Sequence, residues 1–253
     1  MCRLKSGIIL KDQVFVPDYD RHTCMLKELG IEDNEINAKT LFVRAELSPI
    51  NDNIFSDIST WQFNIDQDIL PDWFVCDYDK QRMIEAIKEW TKDHVFENVD
   101  GLELKGNDTY YLKNCKNVKA YDSCKINAYD YSTVYAQENC KVNAYDDCTV
   151  NAYDDCTVNA QNNCKVYAYG NCEVYAQDNC KVYEQNKCTV YAYDDCKVNA
   201  YHDSTIKSID CKLYDKNLKL FNNAIFIDKA TKTIFYQNED YKFVKIGKSG
   251  ERV

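Results

Sequence analysis

Cysteine, histidine and aspartate are the side chains that could do chemistry in this 253-residue chain. Cys24 lies two residues from His22, and with His22 or His94 it sketches a thiol nucleophile and an imidazole base. A working pair needs a third group to orient the base, and the sequence names none beside either histidine. Asp66, Asp68 and Asp72 follow a strand-like segment and offer carboxylates to a metal or to acid–base work. Acids alternating after a strand more often face water. Fourteen cysteines would form a disulfide framework in a small secreted chain. Here most of them recur at one fixed period instead. No phosphate-cradling glycine loop, zinc-ligand spacing or nucleophile elbow is present. The expectation is a chain with no metal, no cofactor and no catalytic residues, an enzyme housed in residues 1–100 being the alternative.

The elements that carry these residues are set by a repeat. From Cys140 the chain reads CKVNAYDD, CTVNAYDD, CTVNAQNN, CKVYAYGN, CEVYAQDN, CKVYEQNK, CTVYAYDD, CKVNAYHD. KNVKAYDS, CKINAYDY and STVYAQEN precede it, and a degenerate STIKSID follows from Ser204, then CKLYD from Cys211. Octad positions one, three and five hold Cys/Ser, Val/Ile and Ala, while two and four are polar or Tyr. That alternation is a strand with one buried face. Positions six to eight are rich in Asn and Asp, which tolerate the left-handed backbone of a corner. The pattern excludes a helix, because positions one, three and five do not share a face at 3.6 residues per turn. One octad cannot close on itself, so two octads, sixteen residues, are expected per coil. The small inward trio suits a thin core. About six coils at ~4.8 Å give a rod of roughly 29 Å. The fold class is therefore mainly β, an octapeptide-repeat β-solenoid.

In that register Tyr135, Tyr167 and Tyr183 share one face, with Asn151 between them, and Tyr175 and Tyr191 share the other. Outward tyrosines in register can stiffen the sheet by stacking, or form an aromatic platform for a partner. These five are the candidate binding surface. Ser132 and Ser204 occupy the first octad position, so that slot accepts a small residue and does not require a thiol. The cysteine columns do not converge as metal ligands must. The corner acids Asp146-Asp147, Asp154-Asp155 and Asp194-Asp195 lack the glycines of calcium-binding β-rolls; Gly170 is the one glycine of the array.

The flanks complete the plan: a small α+β domain over 1–100, a lead-in and N-terminal cap over 101–115, the solenoid over 116–215, and a C-terminal β cap over 216–253. GIILKDQVFVP reads as a hairpin turning near Lys11-Asp12. Asp20 is expected to cap a helix over 22–29 that ends at Gly30. Segments 41–47 and 59–65 read as strands, and 70–74 as a turn with an anchoring aromatic. Asp79 is expected to cap an amphipathic helix with Met83, Ile84, Ile87 and Trp90 on its buried stripe. Cys115 lies nine residues before Cys124, so one residue is extra, and Asn117 is placed in a bulge. Residues 224–237 read as a hairpin and 241–246 as a last strand, covering a solenoid end that would otherwise expose unpaired backbone and invite chains to stack.

Formal net charge is −10, and no Lys/Arg cluster is visible along the sequence, which argues against direct nucleic-acid binding. The acidity suits solubility. It also admits an acidic decoy for a basic groove, with the acid excess greatest in residues 1–100. No apolar run reaches eighteen residues, and Ile8-Ile9-Leu10 is cut short by Lys11 and Asp12, so neither a membrane span nor a signal peptide is expected. Cytoplasmic residence with free thiols follows as an expectation.

The opening MCRLKSGIILKDQVFVPDYDRH, with FVRAELSP and FNIDQDILPDW, resembles the leader of uncharacterised phage and prophage proteins in which similar octads, ValxAlaTyrAsp/Asn, follow. Cysteine at position one, where such arrays often hold Ala or Ser, is a departure. The resemblance implies expression in a host cytoplasm and a host protein, such as a defence complex, as target; it assigns no site residues. The expected function is a non-enzymatic interaction or scaffold protein, with homo-oligomers left open. Sequestration of a small nucleotide-like ligand is the alternative.

Overall fold

The computed structural model describes residues 5–208, 218–220, 224–228, 233–237 and 243–246. The chain forms two compact units, Met1–Val95 and Phe96–Val253.

The first unit is built on a four-stranded antiparallel sheet, order β2-β1-β3-β4, with β1 Lys5–Leu10, β2 Val14–Phe15, β3 Phe42–Ser48 and β4 Gln62–Ile65. The expected hairpin is β1–β2, closed by Leu10 N–H donating to the Gln13 carbonyl at 2.8 Å. Helix α1 (His22–Glu28) ends at Gly30, whose φ of 69° lets the next N–H groups turn back onto the last carbonyls. Asp20 does not cap it. Arg21 holds the cap position without a side-chain bond, and Asp20 instead accepts from the Ser6 N–H and pairs with Lys5 at 3.2 Å. Lys5 is 3% exposed, so its ammonium needs that counter-charge more than the helix needs a cap.

Helix α2 (Glu35–Thr40) was not anticipated. Six residues are too few to show a period, although Asn34, which accepts from the Asn37 N–H at 2.9 Å, is an ordinary cap. Helix α3 (Cys76–His94) buries Met83, Ile84, Ile87 and Trp90 as expected. It starts four residues earlier than an Asp79 cap would allow. Asp79 sits in its first turn, buried, where its carboxylate accepts from the Val75 N–H at 2.8 Å and from Arg82 at 2.7 Å. The acid does cap the helix, but from inside it. Gly7 lets α3 lie close to β1: a Cβ there would stand 2.8 Å from Met83 Cε.

The second unit is the solenoid. Val134 pairs with Val150 and Val150 with Val166, always in parallel and sixteen residues apart, so two octads make one coil. Odd and even octads feed two facing parallel sheets. One has eight strands, among them Thr133–Ala136, Thr149–Ala152, Lys165–Tyr169, Lys181–Gln185 and Lys197–Tyr201. The other has eleven, among them Lys125–Tyr129, Lys141–Ala144, Thr157–Ala160, Glu173–Ala176, Thr189–Ala192 and Thr205–Ser208. The ladders begin before the first octad. Glu103–Leu104 pairs with the strand at Val118–Ala120, and Thr109–Lys113 pairs with Lys125–Tyr129. Buried Leu104, Tyr110 and Leu112 fill this first coil in place of the octad trio, which hides it from a search for the repeat. The array runs to about seven turns. Asn117, at φ 52°, is the extra residue after Cys115.

At the other end Leu218–Leu220 continues the eight-stranded sheet and Ile225–Asp228 the eleven-stranded one. The last three strands, Ile225–Asp228, Thr233–Gln237 and Phe243–Ile246, run antiparallel, the expected hairpin and final strand. The CKLYD segment from Cys211 lies outside the described residues.

The inward trio is buried throughout: Cys164, Val166 and Ala168 are each 0% exposed, and neighbouring coils repeat this. Burying each Val contributes on the order of 1.5–3 kcal/mol as an upper estimate. Position one does more than fill space. Ser132 Oγ donates to the Tyr129 carbonyl at 2.6 Å and Ser204 Oγ to the Tyr201 carbonyl at 2.6 Å. Cys148 and Cys164 Sγ make the same bond, each at 3.0 Å, to Tyr145 and Gln161. The slot takes a small side chain that can also satisfy a corner carbonyl, which is why Cys and Ser interchange there. The corners themselves use left-handed Asp and Asn, for example Asp146 (φ 55°), Asp147 (φ 61°), Asn162 (φ 57°) and Asn163 (φ 63°). Gly170, at φ 89°, stands where a Cβ would lie 3.0 Å from the Asp154 backbone.

Candidate interaction surface

Strand positions two and four both point outward, so each sheet shows two side-chain rows to its surroundings, one side chain per coil. On the eight-stranded sheet position four reads Tyr135, Asn151, Tyr167, Tyr183, Asn199 in register. The rings of Tyr167 and Tyr183 stack at 5.0 Å between centroids and 13° between planes. On the eleven-stranded sheet the row reads Asn127, Asn143, Asn159, Tyr175, Tyr191, Lys207. Its asparagines form an amide ladder with bonds of 3.0 and 2.9 Å. Tyr175 and Tyr191 stack at 4.7 Å. Lys207 covers the Tyr191 ring at 4.9 Å. A hydrogen bond to Glu173, then burial, lifts the Tyr175 hydroxyl to about 12. The five sequence-selected tyrosines therefore fall on two opposite outer faces. The stacked pairs spend their ring faces on each other and leave edges and hydroxyls outward.

The row at position two holds what a linear reading missed. Lys165, Lys181 and Lys197 are direct cross-strand partners on the eight-stranded face, all three exposed. Among the described residues no ion pair neutralises them, and like charges directly opposite one another cost stability. No Lys/Arg cluster appears along the chain because these residues are sixteen apart; the coil assembles one. Thr133 and Thr149 continue the row. The signal was available in the octads as Lys at position two recurring in alternate repeats.

Several corner acids, among them Asp146, Asp154 and Asp155, have structural partners. Asp122 accepts from the Gly106 N–H at 3.1 Å, Glu138 from the Asp122 N–H at 2.9 Å and Asp154 from the Glu138 N–H at 3.4 Å, so one edge of the rod is a chain of carboxylates each bonded to the coil before it. On corner rungs Asn162 donates to Asp146 and Asn171 to Asp155, at 2.9 and 3.2 Å. Inside, hydrogen bonds from column neighbours, then burial, push the thiols of Cys124, Cys148, Cys180 and Cys188 well up. They are neutral and shielded, poor nucleophiles at any ordinary pH.

In the first unit Cys24 is exposed, while His22 is buried and turned away to other groups. His22 Nδ1 is 3.1 Å from Asp66 Oδ2, and Nε2 is 3.3 Å from the Ala45 carbonyl. His94 engages Asp18 at 2.7 Å and the Trp90 carbonyl at 2.7 Å. Asp66 and Asp68 line an open cleft of roughly 640 Å³ with Asp33, Glu35, Arg44 and Gln67. Arg44 is paired there with Asp33. Asp72 stands exposed in the turn that Phe74 N–H closes onto Pro71. The anchoring aromatic of that turn is Trp73, whose indole N–H donates to the Thr40 carbonyl at 2.7 Å.

Among the described residues no helix is long and apolar enough to cross a membrane. No protein-family model, curated protein or solved structure matches the chain.

Proposed function

We propose that the protein is a non-enzymatic interaction scaffold whose eight-stranded face docks an acidic surface of another protein. The observation that carries this reading is the lysine ladder. A chain of net charge −10 gathers three unneutralised ammonium groups in register beside Tyr167 and Tyr183, at a cost in repulsion. Such a row suits carboxylates at i and i+4 of a partner helix, about 5–6 Å apart against a rung of ~4.8 Å. The tyrosine edges beside it supply rigid contact area at small entropic loss. The ladder spans two rungs, roughly 10 Å, Thr149 and Thr133 continue its row without charge, and acidic corners flank the strands. A long polyanion such as nucleic acid would run off the lysines onto uncharged threonines, with acidic corners to the side. Stacked ring faces likewise disfavour insertion of a planar base. The resemblance of the leader and octads to phage and prophage proteins adds the partner's source: a host protein, with a defence complex as the leading class.

The test is capture of a partner from host lysate at low ionic strength by the full chain. The partner should bind stoichiometrically and be released by salt. It should be lost on Lys165→Glu plus Lys181→Glu, and retained on Lys125→Glu plus Lys141→Glu in the opposite sheet. Equal retention by both variants refutes the assignment of the face. Recovery of a nucleotide or nucleic acid as the sole bound species refutes the protein-partner reading.

A further inference from the structure

We infer that His22, Glu46 and Asp66 form a binding site for one first-row divalent transition-metal ion such as Zn²⁺, on the first unit and independent of the solenoid face. The three residues come from α1, β3 and the segment after β4, and their ligating atoms all lie within 4.8 Å of one another. A point roughly 2–3 Å from all three exists, which small rotamer adjustments bring to bonding distance. The donor set, one imidazole and two carboxylates, leaves coordination positions open and favours Zn²⁺ or its neighbours over Mg²⁺ or Ca²⁺, which take oxygen alone.

The hydrogen-bond arrangement supplies the second, independent argument. His22 is 7% exposed, so its ring nitrogens must find partners within the protein. The Ala45 carbonyl opposite Nε2 can only accept, so the tautomer that satisfies it has the proton on Nε2. In that neutral ring Nδ1 is a lone pair, yet it faces Asp66 Oδ2 at 3.1 Å, and the Glu46 carboxylate also lies within 4.8 Å: three acceptors gathered together. Only a positive charge between them resolves this. A ring N–H bonded to a backbone carbonyl is also how a metal-bound imidazole is held in tautomer and orientation. Lys5 does not supply the charge, because its ammonium is committed to Asp20 and lies over the Trp90 ring at 4.3 Å. Asp66 also lines the open cleft, so a bound ion would be reachable from solvent.

The competing account is a proton in place of the metal, with imidazolium His22 simply paired to Asp66. The experiment uses the full chain with its accessible thiols alkylated, titrated with Zn²⁺ by calorimetry at pH 7.5 and with Co²⁺ in the visible. One equivalent should bind, the Co²⁺ spectrum should lack the intense thiolate charge-transfer band, and Glu46→Gln and Asp66→Asn should each weaken Zn²⁺ at least tenfold. Both variants replace partly exposed side chains by isosteres, so the fold is retained, and far-ultraviolet circular dichroism checks it. Absence of saturable binding, a thiolate band at the tight site, or unchanged affinity in both variants overturns the inference and leaves the proton account standing.

Discussion

Replacing Glu184 by alanine should stabilise the protein, by an amount that grows with pH. Glu184 occupies octad position five, where Ala168 and Ala200 are its direct cross-strand partners. It is 1% exposed, and among the described residues neither carboxyl oxygen has a hydrogen-bond partner. Burial, and then the nearby Cys188, hold its carboxyl well above the ordinary 4.5. An acid raised on folding contributes most below its unfolded pKa, and that contribution is lost as pH climbs toward the folded value. Each unit by which the folded value stands above the unfolded one is worth about 1.4 kcal/mol at a pH above both. The unpaired carboxyl adds about 1–3 kcal/mol of desolvation. Against this, truncation to Ala removes roughly 50 Å³ of side chain and loses about 1 kcal/mol as a cavity. Glu184→Ala should therefore gain about 1 kcal/mol near pH 4.5 and progressively more as pH rises toward 7.5. Urea unfolding under reducing conditions at pH 4.5, 5.5, 6.5 and 7.5, on native, Glu184→Ala and Glu184→Gln chains, measures this as differences between proteins. The Gln variant keeps the volume and cannot titrate, so its difference from native should carry the same pH slope as that of Ala. Parallel pH profiles for all three, or an Ala variant less stable at pH 7, would refute the buried-acid reasoning.

Four further outcomes are expected. Cys148→Ser should leave the urea midpoint nearly unchanged because Ser makes the same bond to the i−3 carbonyl, whereas Cys148→Ala should lose about 1 kcal/mol. Gly170→Ala forces a Cβ to within 3.0 Å of the Asp154 backbone at a φ of 89°, and should cost about 1–3 kcal/mol, read from the same unfolding curves. Lys181→Glu should raise the melting temperature at low ionic strength, with the gain vanishing near 1 M salt, where the Debye length is about 3 Å; no gain would mean the ladder carries no repulsion. Asp79→Ala leaves the Arg82 guanidinium without its carboxylate and Val75 N–H uncapped, and should cost about 3 kcal/mol in thermal or urea unfolding.

The architecture was legible because an octad spells its own physics. Cys-Val-Ala at one, three and five can only be an inward strand face, and Asn-Asp pairs can only be corners, so coil length, column membership and the Tyr167–Tyr183 and Tyr175–Tyr191 pairs all follow. What stayed hidden was set by tertiary demands. Asp20 reads as a helix cap until buried Lys5 claims it. Asp79 reads as a helix boundary until Arg82 and the Val75 N–H draw it inside. The first coil escapes because Leu104, Tyr110 and Leu112 fill its core with the wrong letters. His22 and Asp66 lie 44 residues apart and meet only through sheet topology.

The lysine ladder is the instructive case, because every piece of it stood in the sequence. A charge cluster is ordinarily sought within a short window, but in a sixteen-residue coil the neighbours of Lys181 are Lys165 and Lys197, not the residues beside it in the chain. Composition averages this away: a net charge of −10 describes the whole chain, whereas a partner within a Debye length of about 8 Å experiences one face. The same folding rule that places thiols and methyls inward in columns therefore sorts charge outward in columns. Acids go to the corners, where the coil before offers its N–H groups, and lysines to the flat faces, three in register on the eight-stranded sheet and Lys125 with Lys141 on the eleven-stranded one. The longest such row, the three lysines of the eight-stranded face, carries the largest outward repulsion, and there selection for binding, rather than for folding, has the most room to act.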